Sequence, residues 1–289
     1  MSDAPPYLLE PPLQPLGAHA ERRDRGGLRR IRDMRFAEVA YRGWQEASKW
    51  LERVAPIELP DHPEELLRKH APDLADPEAA MRILREIAPQ RFFAGVAHPG
   101  TRDALAARLP NHPAETLTSA DALVKRQFDL LGYRTLWFGD PIDWHLDPLR
   151  ARRAPLVPWS VLDPDDAEAV GDSRLVWELN RHQWLVRLAQ ARAVTGDDRY
   201  AEPCVGAIDA WLEANPPGVG VNWASSVEVS LRMISWCWTL MLLRDSPALS
   251  PAWVHKLLAA IWLHATHVRR YLSYYCSKNT DLPGEALGL

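Results

Sequence analysis

Five polar side chains recur along an otherwise apolar segment, and their spacing places them on one helical face. Within "NWASSVEVSLRMISWCWTL" the intervals between them are 3, 4, 3 and 4 residues, which is the repeat of one stripe on an α-helix. The stripe consists of Ser225, Glu228, Arg232, Ser235 and Thr239. Polar groups on a buried helix must find partners or face water. The spacing leaves two interpretations open: a Glu228–Arg232 pair that closes a buried network, or a polar face that lines a cleft.

A second set of chemically capable residues follows at helical spacing. His264, His267, Tyr271 and Tyr274 are separated by 3, 4 and 3 residues. No acidic residue accompanies them, which argues against a metal site, and we interpret them as partly buried, satisfied side chains. His182 falls on an apolar helical stripe and is interpreted as a core histidine.

The last residues, "SKNTDLPGEALGL", contribute one amide and two carboxyl groups after a helix end: Asn279, Asp281 and Glu285. These groups could form a binding site beside the aromatic end of the preceding helix. They could equally form a capping loop in which Asp281 caps a helix that starts near Pro283. Spacing alone leaves both possibilities open.

Long helices must position these residues. Apolar periodicity from about Asp172 to Tyr275 predicts four long helices in two antiparallel hairpins. Cap chemistry predicts Gly196 at a helix end, Asn222 as the cap of a helix from Trp223 to about Leu243, and Ser250 before the next helix. The predicted turns are Thr195–Asp198, Asn215–Asn222 and Asp245–Ser250. No strand pattern of any length appears, so the predicted fold class is all-α.

The N-terminal half is more broken. Residues 1–33 are predicted to be an irregular arm rich in Pro and Arg, and residues 34–289 a helical domain. Helices are predicted near 34–54, 64–70 and 77–87, and a further one over Ser119–Leu130 with Ser119 as its cap. The connector that follows, residues 131–166, is predicted to be a long loop packed by its own aromatic side chains.

Composition excludes several classes of function. The 289 residues are 47% hydrophobic, with a formal net charge of −4 and a pI near 6.2, so nucleic-acid binding is not expected. Three cysteines without CxxC spacing indicate neither a disulfide framework nor a zinc site. No apolar run is long enough for a membrane span, and no signal peptide is visible. The thirteen Trp are either core residues or platforms for sugar rings.

Three segments together resemble a known family. The segments "WELNRHQWLVRLAQARAVTGDDRYA", "WLEANPPGVGVNWASSVEVSLRMISW" and "LSYYCSKNTDLPGEALGL" resemble the N-terminal helical domain of heparinase II/III-like polysaccharide lyases. The resemblance is dense from about Asp143 onward. It implies an incomplete (α/α) toroid built from antiparallel helical hairpins, with no cofactor. It also implies acidic polysaccharide substrates, such as heparan sulfate or alginate, cleaved by β-elimination.

The resemblance also implies residue roles. Asn279 matches the family's asparagine, which neutralises the uronate carboxylate so that the C5 proton becomes removable. Asp281 stands where the family has a histidine, and an ionised carboxylate there would repel a uronate. We therefore predict Asn279 as catalytic. The predicted substrate-binding residues are Asn222, Trp223, Glu228, Arg232, Asp281 and Glu285.

The comparison with the family predicts that the toroid is cut short at its C-terminal side. The family's tyrosine acid or base and its β-sandwich domain, with a histidine, would then belong to a missing C-terminal half. We accordingly expect this chain to be inactive alone. The alternative is a non-catalytic carbohydrate-binding module or a helical interaction module. Family members act in the periplasm or outside the cell, but no signal peptide is visible in this sequence. The localisation therefore stays open.

Overall fold

One helix of 19 residues and several shorter ones form the N-terminal half of the protein, and helices of up to 20 residues lie in the C-terminal half. The computed structural model describes residues 36–93, 95–96, 98, 100–275 and 280–289. The first helices are α1 Phe36–Val54, α2 Pro63–His70, α3 Pro77–Arg82, α4 Ala88–Arg91, α5 Thr101–Arg108 and α6 His112–Val124. They are followed by α7 Ala167–Val170, α8 Ser173–Asn180, α9 Gln183–Thr195, α10 Glu202–Ala214, α11 Ser226–Leu243, α12 Pro251–Arg270 and α13 Asp281–Gly288.

The chain divides into two units, Met1–Trp44 and Gln45–Leu289. In the first unit, the described residues form the start of α1, where Arg42 pairs with Glu38 one helical turn away. The second unit contains every other described element. The predicted irregular arm over residues 1–33 lies outside the described residues.

Helices α10, α11 and α12 confirm the predicted hairpin pattern, because the breaks between them fall in the predicted turns. Local cap chemistry explains two of these boundaries. Gly196 follows α9 in the left-handed conformation, with φ 76°, which glycine adopts without steric cost. Ser250 accepts a hydrogen bond from the backbone N–H of Trp253, and Pro251 begins α12.

The first long helix of the prediction is instead two helices. α8 ends at Asn180 and α9 begins at Gln183, and His182 between them has a φ of 58°. A non-glycine residue in this region carries backbone strain. The His182 side chain is fully buried, and its Nδ1 accepts a hydrogen bond from Trp236 Nε1 at 2.8 Å. This tertiary contact accompanies the break, and it confirms His182 as a core residue.

Two local predictions were wrong. Ser119 is not a cap but lies inside α6, which begins seven residues earlier at His112 and ends at Val124. The residues beyond Val124 leave the helix and form β1 Phe128–Leu130, paired antiparallel with β2 Tyr133–Leu136. A second short pair joins β3 Leu146–Asp147 to β4 Arg152–Arg153. Strands of two to four residues are too short to show the alternation that identifies a strand in a sequence.

The connector after β2 is packed by some of its aromatic residues, as predicted. Phe138 and Trp144 are buried, whereas Trp137 is exposed. Phe138 contacts Phe128 edge to face, with ring centroids 5.7 Å apart. The connector is therefore anchored to the main core through this strand pair.

The centre of the core is aromatic. Trp211 of α10 and Trp236 of α11 are fully buried, with ring centroids 5.5 Å apart. Trp223, which precedes α11, packs 4.5 Å from the His264 ring of α12. Large buried rings contribute much of the apolar area that stabilises a core. Their burial supports the core interpretation for these Trp residues. Of the helices that the structure describes, none is long and apolar enough to cross a membrane.

Helix α13 packs against α11 through glycines. A Cβ atom placed on Gly284 would lie 2.9 Å from Val227 Cγ2, and one on Gly288 would lie 2.6 Å from Ser230 Cβ. Glycines four residues apart thus allow the two helix backbones to approach closely.

Candidate functional site

Arg232 is the centre of a buried polar network beneath the predicted site. Its side chain is 1% exposed. Its guanidinium donates hydrogen bonds to the backbone oxygens of Asn180 at 3.3 Å and Asn222 at 3.0 Å, and to His264 Nε2 at 3.2 Å. The Arg232 side chain therefore ties the end of α8, the segment before α11, and α12 to one point.

Aromatic faces complete the surroundings of this cation. The guanidinium carbon lies 4.2 Å from the centroid of the Trp211 ring and 5.8 Å from that of Trp223, within the range of cation–π attraction. Burial lowers the pKa of Arg232 to about 9, and the nearby Glu228 carboxylate opposes this change. The guanidinium stays charged at neutral pH.

Glu228 does not form the direct pair with Arg232 that the spacing left open. Its two carboxylate oxygens accept hydrogen bonds from Nε and Nη2 of Arg181, at 2.6 and 2.8 Å. Arg181 also contacts Glu178 one helical turn earlier. The hydrogen bond to Glu228 raises the pKa of Arg181. Glu228 is 5% exposed, so this bidentate pair joins α11 to the α8–α9 break.

The other polar residues of the stripe are also internal. Ser235 and Thr239 are buried, and each hydroxyl donates to the backbone oxygen four residues earlier. Such bonds satisfy a hydroxyl within its own helix. The stripe is therefore mainly buried, as in the first interpretation, but Glu228 pairs with Arg181 rather than with Arg232.

Asn222 is not the cap of α11. It lies in a 3₁₀ turn, Val221–Trp223, and α11 begins three residues later at Ser226. The Asn222 amide donates to the backbone oxygen of Trp144 and to Asn215 Oδ1. Its side chain is fully buried, so the amide fixes the turn before α11 onto the connector.

His264 and His267 of α12 are buried in neutral form. Burial, followed by the charge of Arg232, lowers the pKa of His264 well below its usual value, and the same causes lower the pKa of His267 to about 3. Burial likewise lowers the pKa of His182. Tyr274 is 51% exposed and departs from the predicted burial. Within the described ranges, no group of His, Cys, Asp or Glu side chains is arranged to hold a metal ion.

The predicted site residues near the C-terminus have different surroundings. Asn279, the predicted catalytic residue, lies outside the described residues, so its role stays a prediction. Asp281 is the first residue of α13 and half-buried, so it does not cap a helix that starts near Pro283. Glu285 is 1% exposed and accepts hydrogen bonds from both the backbone N–H and the hydroxyl of Ser273, each at 2.7 Å.

Two structurally important residues escaped the analysis of the sequence. Arg181 holds Glu228, and Asn180 connects Trp211 Nε1 to the backbone of Trp144. Both lie in "WELNR", where Glu178 and Arg181 are three residues apart. That spacing signalled a local ion pair, but nothing in it indicated the contact with Glu228, which is 47 residues away.

The sequence pattern of the family described as Heparinase II/III N-terminus matches residues 100–282 of this chain. The chain belongs to the heparinase II/III N-terminal family. The match includes α5 to α12 and the loop that carries Asn279, and it confirms the resemblance found in the sequence.

Curated relatives of this heparinase II/III family chain are described as heparin-sulfate lyases. That of Pedobacter heparinus is 28% identical over 149 residues, which is 50% of this chain and 19% of the relative. That of Bacteroides thetaiotaomicron is 32% identical over 84 residues, 28% of this chain and 12% of the relative. That of Bacteroides stercoris is 24% identical over 187 residues, 57% of this chain and 24% of the relative. The chain thus spans a quarter or less of the length of these relatives.

A solved structure has the same fold as this heparinase II/III family chain. The crystal structure of heparan sulfate lyase HepC from Pedobacter heparinus superposes with a TM-score of 0.53 at 21% identity, over 77% of this chain and 31% of that protein. The match confirms the predicted all-α class and its (α/α) toroid organisation.

Proposed function

We propose that this chain is the N-terminal helical part of a lyase that cleaves uronate-containing acidic polysaccharides by β-elimination. The family match over residues 100–282 carries the proposal. The heparin-sulfate lyases among the relatives favour a glycosaminoglycan substrate. Alginate, which shares the uronate chemistry, is the second candidate substrate.

In the proposed reaction, a base removes the C5 proton of a uronate while an acid assists the departing 4-O oxygen. Removal of that proton develops negative charge on the uronate carboxylate, so a neutral hydrogen-bond donor beside it is required. The amide of Asn279 has this chemistry. Asp281 is the opposing feature, because an ionised carboxylate two residues away would disfavour the same charge.

We further propose that a polypeptide limited to these residues binds the polysaccharide without cleaving it. A group that transfers protons must reach the substrate. Among the described residues of the predicted site, Glu228 and Glu285 are buried against Arg181 and Ser273. Arg232 is enclosed by aromatic rings. Because these side chains are already paired or enclosed, they favour a role of the chain in binding rather than in proton transfer.

Elimination is measured directly, because the product contains a conjugated double bond that absorbs in the ultraviolet. We expect heparan sulfate or alginate in an affinity gel to slow the migration of the purified chain. We expect no growth of the ultraviolet absorbance when the chain is incubated with either polysaccharide. Growth that Asn279→Ala abolishes would overturn the proposed inactivity. If neither polysaccharide slows the migration of the chain, the proposed substrate class is overturned.

The alternative of a non-catalytic binding module is tested with a longer polypeptide, in which the C-terminal part of a heparin-sulfate lyase is fused after Leu289. Elimination by this fusion, improved by Asp281→His, supports the lyase proposal. Binding without elimination, with or without Asp281→His, supports the binding module instead. Heparan sulfate digestion by the intact relative is the positive control.

A further inference from the structure

A pocket lies between the end of α1, two loops and α12. Its walls come from Glu52 and Arg53 of α1, the turn at Trp159, the loop at Gly218, and His267 of α12, with Trp223 between them. All of these residues belong to the unit Gln45–Leu289. The lining is mainly apolar with a few polar atoms, and the cavity volume of about 60 Å³ fits a small polar group rather than a whole sugar ring.

Two buried nitrogens of this lining have no hydrogen-bond partner among the residues that the structure describes. They are Trp223 Nε1 and His267 Nε2, and their side chains are 2% and 7% exposed. Leaving such a group unsatisfied costs about 1–3 kcal/mol, so buried polar atoms in native proteins nearly always have partners. The pair therefore indicates an external group that bonds here.

The chemistry of the two nitrogens specifies that group. An indole N–H only donates a hydrogen bond. The His267 ring is neutral at pH 7, because burial lowers its pKa to about 3, so Nε2 accepts a hydrogen bond in the tautomer that carries the proton on Nδ1. One donor beside one acceptor is the complement of a hydroxyl group, which accepts and donates at the same oxygen.

The entrance to these nitrogens is covered by a single ring. Trp159 packs edge to face against His267, with ring centroids 5.3 Å apart, and donates its Nε1–H to Glu52 at 3.3 Å. Trp159 is only half-buried. Access of a hydroxyl to the two nitrogens requires the Trp159 ring to move, and the same ring offers a partly exposed apolar face to a sugar.

The rim of the pocket carries an available positive charge. Arg53 is exposed, and its Nε donates to the backbone oxygen of Lys49. Within the described part of the chain, Arg53 has no carboxylate partner, whereas the neighbouring Glu52 is paired with Arg270. A guanidinium with free N–H groups binds sulfate or carboxylate in a bidentate manner.

We propose that this pocket is a subsite for the acidic polysaccharide, in which a sugar hydroxyl bonds Trp223 and His267 while a sulfate or carboxylate of the same chain binds Arg53. The inference rests on the proposed function and extends it, because it assigns polysaccharide contacts to residues of α1 and α12 in addition to the predicted catalytic Asn279. It also assigns Trp223, predicted as a substrate-binding residue, a defined role as a hydrogen-bond donor.

The test is calorimetric titration of the full chain with heparan sulfate octasaccharides, with and without sulfate, and with an alginate octamer. Trp223→Phe keeps the aromatic packing and removes the donor, and Arg53→Gln removes the rim charge. We expect each variant to bind about fivefold to tenfold more weakly, the effect of one lost hydrogen bond or exposed charge contact. Arg108→Gln changes an exposed arginine of α5 and is the matched control, with unchanged affinity.

The outcomes separate this inference from the proposed function. A wild-type chain that binds none of the three oligosaccharides overturns the function and the subsite together. If the wild-type chain binds and the affinities of Arg53→Gln and Trp223→Phe equal that of Arg108→Gln, the subsite alone is overturned. Arg53 is exposed, so its variant folds and stays informative if Trp223→Phe does not. Loss of affinity confined to sulfated oligosaccharides identifies sulfate at Arg53, and equal loss with alginate identifies carboxylate.

Discussion

At the scale of single residues, the charged side chains of α11 act mainly as internal ties. Arg232 joins three segments through two backbone oxygens and one histidine, and Glu228 joins α11 to Arg181. A cation enclosed in this way holds three segments in place and is not accessible at the surface. Polar residues in the middle of an apolar helix are therefore not by themselves evidence of a catalytic group.

We expect Arg232→Ala to lower the free energy of unfolding by about 3–5 kcal/mol, because two buried carbonyls lose their donor and a cavity opens beneath Trp211. Urea denaturation followed by fluorescence measures the change. Arg187→Ala removes an exposed arginine of α9 and should change stability by less than about 0.5 kcal/mol. Equal effects of the two substitutions would contradict the central role of Arg232.

At the scale of elements, the position of α13 depends on backbone contact with α11. Gly284 and Gly288 leave no space for a methyl group against Val227 and Ser230. Glu285 holds the same helix to the backbone and hydroxyl of Ser273. These contacts fix α13 both to α11 and to Ser273.

We expect Gly288→Ala to destabilise the docking of α13, although alanine favours a helix over glycine by about 1 kcal/mol. The new methyl group would overlap Ser230 Cβ, and overpacking of this kind costs about 1–3 kcal/mol. Thermal unfolding and hydrogen exchange of residues 281–289 measure the effect. Gly206→Ala in α10, where nothing lies within 4 Å of the new Cβ, should be neutral or stabilising. If hydrogen exchange of residues 281–289 is no faster in either variant than in the unmodified chain, the close approach of the helices is contradicted.

At the scale of the whole molecule, buried neutral histidines make stability depend on pH. The folded chain lowers the pKa values of His182, His264 and His267 through burial. On unfolding these rings return to a pKa near 6.5, so the unfolded chain binds more protons below that pH. The contribution is fully present above about pH 6.5 and is lost as the pH falls toward the folded-state values.

We expect the free energy of unfolding to decrease between pH 7 and pH 5, by about 1.4 kcal/mol per pH unit for each histidine once the pH is below 6.5. Urea denaturation at three pH values measures the slope. His267→Gln should reduce the slope by about one proton, because one titrating ring is removed. A constant stability over this range would contradict the neutral burial of the three rings.

Local chemistry in the sequence determined the helical frame of this protein. Apolar periodicity predicted α10, α11 and α12, because a helix repeats its buried face every 3.6 residues whatever its partners are. Gly196 and Ser250 marked helix boundaries, because cap geometry involves only neighbouring residues. The same local patterns indicated the family, whose match covers residues 100–282.

Only the tertiary structure decided which polar groups are partners. Spacing suggested that Glu228 pairs with Arg232, but Arg181 approaches from 47 residues away and binds it instead. The break at His182 accompanies a hydrogen bond from Trp236, 54 residues distant, and no local signal precedes it. Glu285 likewise resembled a site residue until its contact with Ser273 was known. Buried polar groups are satisfied by whatever the packing brings near them, so their roles depend on long-range contacts that a pattern along the chain does not contain.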